Sequence, residues 1–237
     1  GKVLALSLIE SIFFTIGIML AINCLLFLIL RRIDSIQKKN DEEMLKLAFV
    51  DEVTSGPNKA KFYIEAQKII QNISPSHQYA LVLMDITKFK VINEIYGFEM
   101  ANNILKDLYN IIKKNLPEGT LLARSFAANY LFVLEYKEES DINCTVDKIH
   151  QDIEEYNTKT MQQLISTQNN KVAAKLVPLF GVYLISDVTV PINIMCDRVS
   201  LAKRTISEDI NKYVSYYDDN LRKQLLSEKN IEDEMHN

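Results

Sequence analysis

The pattern of hydrophobic and polar positions shows a long apolar stretch near the start of the chain. From Ile12 to Leu30, nineteen consecutive residues carry no charge. As a helix they would span about 28 Å, close to the hydrocarbon thickness of a bilayer. We therefore predict a transmembrane helix over 12–30, preceded by an extracytoplasmic remnant at 1–11. A buried core helix is the alternative, but the stretch lacks a polar face.

Basic residues after the apolar stretch give it an orientation. Arg31 and Arg32 follow it directly and Lys38 and Lys39 come soon after, whereas only Lys2 carries positive charge on the other side. The positive-inside rule then places everything after residue 32 in the cytoplasm. The chain begins with Gly rather than Met, so we expect a further portion upstream.

Residues 31–47 are predicted to form a linker helix. They are rich in charge, contain neither Gly nor Pro, and carry apolar residues at broadly helical spacing: Ile33, Ile36, Met44, Leu45 and Leu47. One hypothesis is a homodimer in which this helix pairs with a copy of itself. The other is a solvated single helix, because barely two heptads are available.

Residues 48–217 alternate between strand-like and helix-like patterns. The apolar run 79–84 suits a central buried strand, and 121–125 with 130–136 predict a hairpin. The other predicted elements are helices over 59–72, 89–95, 99–115, 141–166 and 191–206, and strands within 172–186 and 211–217. The pattern predicts an α/β domain with a central sheet flanked by helices. Residues 218–237 carry an apolar helical stripe and are predicted to form a connector helix.

Composition narrows the class of protein. A hydrophobic fraction of 48%, with 6 Gly and 5 Pro, excludes disordered and collagenous chains. The net charge of −4 and the lack of a basic block exclude a nucleic acid partner. Cys24, Cys144 and Cys196 are isolated from one another, so neither a disulfide framework nor a cysteine zinc site is predicted.

One aspartate stands where α/β sheets bind ligands. Asp85 follows the apolar run 79–84, which places it at the carboxyl end of a buried strand. By position alone, a metal ligand and a turn or cap residue are equally good explanations. The sequence that follows distinguishes them.

The stretch from Asp85 to Asn102, DITKFKVINEIYGFEMAN, resembles the D-x-D-x-F-K-x-I-N-D-x-x-G-H-x-x-G-D signature of GGDEF domains, the diguanylate cyclase family. Upstream, DEVTSGPNK from Asp51 to Lys59 is similar to the family's opening D-x-L-T-G-L-x-N-R. The resemblance covers roughly residues 46–217. It implies a palm-like sheet domain that binds GTP. Together with the predicted transmembrane helix, this architecture indicates a bacterial signalling protein anchored in the inner (cytoplasmic) membrane.

The catalytic motif itself departs from the family. Where the family has Gly-Gly-Asp/Glu-Glu-Phe, the chain reads Phe126, Ala127, Ala128, Asn129 and Tyr130. Two acids of the motif are lost in this way and a third is replaced at position 87, which leaves Asp85 as the one metal candidate. Joining two GTP molecules needs magnesium ions, and these need carboxylate oxygens. We therefore expect no catalytic residues and no cyclase activity.

Nucleotide binding is less clearly lost. In the family, the residues matching Asn93 and Asn102 contact guanine; the first is retained and the second has become an amide with one acceptor. Weak binding of GTP with Mg²⁺ is expected, with no cofactor required, while a purely structural role for Asn93 is equally open. The family's inhibitory R-x-x-D falls on 117–120, which reads P-E-G-T, so product feedback there is not expected.

The end of the chain is similar to degenerate GGDEF domains that precede an EAL phosphodiesterase domain. Lys203 and Arg204 are alternatives for the phosphate-contacting lysine of the family. No E-A-L segment occurs in the chain, so we expect an EAL domain beyond Asn237. The leading hypothesis is an inactive, regulatory, membrane-anchored GGDEF domain. The alternatives are a stand-alone GTP-binding or dimerisation module and, third, an active cyclase with unusual ligands.

Overall fold

A computed structural model describes residues 2–74, 76–161, 175–206 and 212–220. The chain separates into two compact units, Gly1–Ala48 and Phe49–Asn237. The first unit consists of helix α1 (Lys2–Phe49), which continues through both predicted helices, 12–30 and 31–47, without a break. From Phe13 to Leu30 its side chains are exposed. By length and composition α1 could cross a membrane.

Thr15 and Asn23 are polar residues within the apolar stretch 13–30. The side-chain amide of Asn23 donates a hydrogen bond of 2.8 Å to the carbonyl oxygen of Met19, one turn earlier. This bond satisfies one N–H of the amide within the helix itself. The apolar character of the surface from Phe13 to Leu30 is therefore little interrupted.

The second unit is an α/β sheet domain, as predicted. Its elements are α2 (Lys59–Gln71), β1 (Gln78–Ile86), α3 (Phe89–Asn115), β2 (Leu122–Phe126), β3 (Asn129–Tyr136), α4 (Glu139–Tyr156), a π-helical turn (Asn157–Met161), β4 (Pro178–Leu184), α5 (Ile192–Arg204) and β5 (Val214–Tyr216). The strand order is β2-β3-β1-β4-β5. All pairings are antiparallel except β4 with β5.

The central position of β1 explains its continuous apolar run. Ala80, Val82 and Met84 pack into a core on one face of the sheet, together with residues of α3 and α4. Leu81 and Leu83 pack into a second core on the other face, with residues of α2 and α5. Because both faces are covered, no polar alternation is needed. The prediction of a central buried strand is confirmed.

Several predicted boundaries are confirmed by their local chemistry. Asn58 accepts a hydrogen bond of 3.1 Å from the backbone N–H of Lys61 and caps α2. The helices predicted over 89–95 and 99–115 are two segments of α3, separated by a kink at Gly97 with φ 78° and ψ 166°. The predicted helix 141–166 begins at Glu139, and its portion beyond residue 161 lies outside the described residues, as does the predicted connector helix from residue 221 onward.

Candidate functional site

The carboxyl end of β1 brings together residues from three strands. Asp85 pairs in register with Asn129 on β3 and with Leu179 on β4. The backbone N–H of the next residue, Ile86, donates a hydrogen bond of 3.4 Å to the carbonyl oxygen of Ala128. The predicted metal ligand and the two replaced acidic positions of the motif therefore lie side by side. We call this region, Asp85–Thr87 with the turn Phe126–Asn129, the β1 end.

Asp85 has a basic partner at the β1 end. The Nζ atom of Lys203, in the last turn of α5, lies 2.6 Å from Asp85 Oδ2. Both side chains are largely buried, with exposed fractions of 22% for Lys203 and 20% for Asp85. Sequence reasoning left Lys203 and Arg204 as alternatives for a phosphate contact. In the structure, the partner of Lys203 is an internal carboxylate.

Thr87 stands where the family has another acid. Its backbone N–H donates a hydrogen bond of 3.1 Å to the carbonyl oxygen of Val177. Its hydroxyl donates to the same oxygen at 3.5 Å, the limit of a hydrogen bond. Thr87 therefore ties the end of β1 to the segment that enters β4, and it adds no carboxylate to the β1 end.

The predicted hairpin is confirmed, and the altered motif forms its turn. Ala127 has a φ of 48°, a left-handed conformation that a non-glycine residue adopts at some cost. Ala128 is buried, whereas Phe126 is 76% exposed. Asn129 keeps its side-chain oxygen buried without a hydrogen-bond partner among the described residues. The turn thus combines an exposed aromatic ring with an unsatisfied buried amide.

The base of the hairpin is held by a network that sequence reasoning missed. Arg124 donates from Nε to the carbonyl oxygen of Ala127 at 2.6 Å, and from Nη1 to Asp51 Oδ2 at 2.7 Å. The other carboxylate oxygen of Asp51 accepts from the backbone N–H and the hydroxyl of Thr54, both at 2.8 Å. Asp51 and Thr54, which match the opening motif, therefore form a turn that anchors the hairpin.

Tyr130, the last motif position, belongs to the core. It is fully buried, and its hydroxyl donates a hydrogen bond of 2.7 Å to the carbonyl oxygen of Leu105 in α3. Burial raises the pKa of this phenol above its usual value. An aromatic residue is retained here because it fills the space between the sheet and α3.

The two guanine candidates lie on different segments of α3. Asn93 is half-buried on the segment before the Gly97 kink, and Asn102 is exposed on the segment after it. Phe98, next to the kink, is 77% exposed. The structure does not bring Asn93 and Asn102 onto one continuous helix face.

The residues at the β1 end do not fit a magnesium ion. Mg²⁺ prefers octahedral oxygen coordination with carboxylate ligands. Asp85 is the carboxylate of this region, and the Lys203 ammonium already binds it. Asn129 offers one amide oxygen, and Ala128 offers no side-chain ligand. Among the described residues, no group of three acidic, His or Cys side chains is placed to hold a metal.

The position of the family's inhibitory motif borders a cavity on a different side of the domain. The cavity has a volume of about 540 Å³, and its lining includes Lys61, Glu65, Lys113, Gly119 and Thr120. Two lysines and one glutamate are a mixed set of charges. They do not reproduce the arginine and aspartate of R-x-x-D.

Comparison with known proteins places this architecture in a family. A sequence profile described as "Diguanylate cyclase, GGDEF domain" matches residues 48–174. The bifunctional diguanylate cyclase/cyclic di-GMP phosphodiesterase MucR of Pseudomonas aeruginosa is 24% identical over 110 residues, which cover 46% of this chain and 16% of MucR. The chain spans less than a third of each curated relative that it matches.

Solved structures share the fold. The coiled coil and GGDEF domain of DgcB from Caulobacter crescentus, in complex with c-di-GMP, matches with a TM-score of 0.64 and 16% identity, over 78% of this chain and 97% of that one. The S helix-GGDEF-EAL portion of Vibrio cholerae LapD, bound to c-di-GMP, matches with a TM-score of 0.59 and 12% identity, over 84% of this chain and 46% of that one.

Proposed function

Because this chain belongs to the diguanylate cyclase GGDEF family, whose domains act in cyclic di-GMP signalling, we propose that it is a membrane-anchored regulatory domain that does not itself make cyclic di-GMP. The observation that carries the proposal is the Asp85–Lys203 ion pair of 2.6 Å. A two-metal phosphoryl transfer needs carboxylates that are free to hold the ions. The one carboxylate of the β1 end is engaged by an ammonium instead.

The size of the expected loss follows from the missing ligands. Metal ions contribute several kcal/mol of charge stabilisation in the transition state. Losing that much slows a reaction by roughly two to four orders of magnitude. Ala128 and Asn129 carry no negative charge, so nothing in the turn compensates. We therefore expect no cyclase activity above the background of the assay.

The direct test is a cyclase assay on the full chain in detergent. GTP and Mg²⁺ are supplied, and cyclic di-GMP is measured by chromatography beside an active cyclase as a positive control. No product above background is expected. Product that disappears in Asp85→Ala would overturn the proposal and revive the reading as an active cyclase with unusual ligands.

We also propose that the domain tunes an EAL phosphodiesterase domain that follows it in the longer native polypeptide. The similarity of the chain's end to GGDEF domains that precede EAL domains supports this, and MucR and LapD combine cyclase-type and phosphodiesterase-type modules by their descriptions. The test is cyclic di-GMP hydrolysis by the native protein with and without residues 46–217. An unchanged hydrolysis rate after the deletion would refute regulation by this domain.

A membrane role for α1 is the third part of the proposal. Its exposed apolar surface from Phe13 to Leu30 supports a single span, with the basic residues after it on the cytoplasmic side. Cys24 lies within the apolar stretch and Cys144 is exposed on α4. In intact cells an impermeant maleimide is expected to label neither cysteine. After permeabilisation it should label Cys144 alone, as a Cys144→Ser control would verify. Labelling of Cys144 in intact cells would contradict this orientation.

GTP capture remains a second candidate function, favoured by the half-buried Asn93 beside the Gly97 kink. A domain that binds GTP without converting it would sense the nucleotide for its partner. Equilibrium dialysis of the full chain with labelled GTP measures this directly. Saturation in the millimolar range that is lost in Asn93→Ala would support the candidate, and equal binding by wild type and variant would exclude Asn93 as its basis.

A further inference from the structure

We infer that the Lys203 ammonium neutralises Asp85 at the β1 end, where a divalent cation would otherwise be needed. The β1 end therefore does not bind Mg²⁺. The inference concerns the same site as the proposed function. It rests on the same ion pair as the proposed function, but it is tested by magnesium binding rather than by product formation, so the two can fail separately. The question at this site is which cation neutralises Asp85: the Lys203 ammonium or a metal ion.

The geometry of the pair favours a fixed interaction. A separation of 2.6 Å between Nζ and Oδ2 is that of a short, charge-assisted hydrogen bond. Each side chain is about four-fifths buried, so water screens the pair less than it would at the surface. An ion pair of this kind competes with metal binding, because both need the negative charge of the same carboxylate.

Helix α5 is held so that Lys203 stays in place. Gly181 on β4 lets the helix approach so closely that a Cβ there would lie 2.0 Å from the carbonyl oxygen of Val199. One turn later, the hydroxyls of Thr205 and Ser215 are 2.9 Å apart and join the helix end to β5. Lys203 lies between these two contacts. The backbone of Lys203 is therefore held in place by the packing of α5 on β4 and β5.

The remaining oxygen at the β1 end does not change this conclusion. The side-chain oxygen of Asn129 is buried and has no hydrogen-bond partner in the described part of the chain. Even together with Asp85 it offers far fewer ligands than the octahedral shell of Mg²⁺. A single ammonium satisfies a single carboxylate, whereas a divalent ion would leave excess positive charge beside Lys203.

The first experiment compares thermal unfolding of the full chain in detergent with about 10 mM Mg²⁺ and with EDTA. Tyrosine fluorescence reports on the second unit alone, because α1 contains no tyrosine. A site with a Kd of about 0.1 mM would raise the midpoint by roughly 5–10 °C at this concentration. We expect no shift beyond that of Asp85→Asn, which lacks the carboxylate. A larger shift in the wild type would overturn the inference.

The second experiment tests the pair itself by a double-mutant cycle. Asp85→Asn and Lys203→Met should each lower the midpoint by about 4–8 °C, because each leaves a largely buried charge without its partner. The double variant should be more stable than either single variant. Lys90 and Glu94, an exposed pair 3.8 Å apart, provide the matched control, with changes within about 1 °C and additive.

Conservative replacement keeps the test informative if a single variant fails to fold. Lys203→Arg retains the charge and should keep both the midpoint and the insensitivity to Mg²⁺. If Lys203→Met leaves the midpoint unchanged while Mg²⁺ stabilises the wild type, Asp85 is a metal ligand and the inference is wrong. Magnesium stabilisation without any cyclic di-GMP product would refute this inference alone and leave the proposed lack of cyclase activity intact.

Discussion

The base and the turn of the β2–β3 hairpin differ in how well their polar groups are satisfied. At the base, Arg124 donates to Asp51 at 2.7 Å, and it also donates at 2.6 Å to the backbone carbonyl oxygen of Ala127 in the turn. At the turn, Phe126 is largely exposed and the Asn129 side-chain oxygen has no partner among the described residues. Asp51 in the base matches the family's opening motif, whereas the turn departs from the family's Gly-Gly-Asp/Glu-Glu-Phe motif.

This difference separates what the fold requires from what the family's chemistry requires. The base residues hold the hairpin against the segment that opens the domain, so their contacts serve the fold of this chain. The turn residues occupy the family's catalytic motif, and under the proposed function they no longer hold metal ions and are free to change. The contrast therefore predicts large stability effects at the base and small ones at the turn.

Arg124→Met should give the largest effect. Arg124 and Asp51 form an ion pair at 2.7 Å with exposed fractions of only 14% and 15%. Removing one partner leaves the other buried without a counter-charge, which we expect to lower the free energy of unfolding by about 3 kcal/mol. Denaturant unfolding of the full chain in detergent, followed by tyrosine fluorescence, measures the change.

Lys68→Met is the matched control for Arg124→Met. Lys68 pairs with Glu65 one turn away on α2, and both side chains are substantially exposed. Its loss should change the free energy of unfolding by no more than about 0.5 kcal/mol. If the two substitutions change the free energy of unfolding equally, the Arg124–Asp51 pair stabilises the fold no more than an exposed surface pair does.

Tyr130→Phe tests whether the last motif position serves the core. The variant leaves the carbonyl oxygen of Leu105 without its 2.7 Å hydrogen bond, which should cost about 1.5 kcal/mol. Tyr216→Phe, whose hydroxyl bonds Asn143 in an exposed position, is the control and should cost less. A loss as large in the control as in Tyr130→Phe would contradict a core role.

We also expect the stability difference between the wild type and Tyr130→Phe to depend on pH. Burial raises the pKa of Tyr130 above the ordinary value of 10.0, so above pH 10 the unfolded chain releases this proton while the folded protein keeps it. The stability of the wild type then falls as pH rises, and the variant lacks this contribution. The stability difference between wild type and Tyr130→Phe should therefore shrink above pH 10. A stability difference that is constant with pH would mean that folding does not suppress ionisation of the Tyr130 hydroxyl.

The sequence predicts elements well where the signal is local. The apolar run of β1, the start of α2 at residue 59 and the break between 89–95 and 99–115 each depend on a few neighbouring residues, and each is confirmed. The Asp85–Lys203 pair joins residues 118 positions apart. Its existence depends on how α5 packs on β4, and Arg124 finds Asp51 across 73 positions. Neither contact leaves a periodic pattern in the sequence, so neither could be predicted.

Asn58→Ala removes the N-cap of helix α2, a residue that belongs to the opening motif. The side chain of Asn58 accepts a hydrogen bond from the backbone of Lys61 at the first turn of α2, and losing a cap of this kind costs about 1 kcal/mol. Asn58→Asp keeps the acceptor and should retain most of the stability. If both variants lose the same amount, the cap is not the source of the effect and the match to the opening motif has another cause.

Phe126→Ser should have the smallest effect, because the turn is where the structure leaves a large apolar side chain in solvent. With an exposed fraction of 76%, the ring has little burial to lose, so the free energy of unfolding should change by no more than about 0.5 kcal/mol. Leu131→Ser, in the buried strand that follows, is the control and should be severely destabilising. A loss above about 1 kcal/mol in Phe126→Ser would show that the turn packs against something in the folded protein. In that case the contrast between a structural base and a freely variable turn would no longer hold.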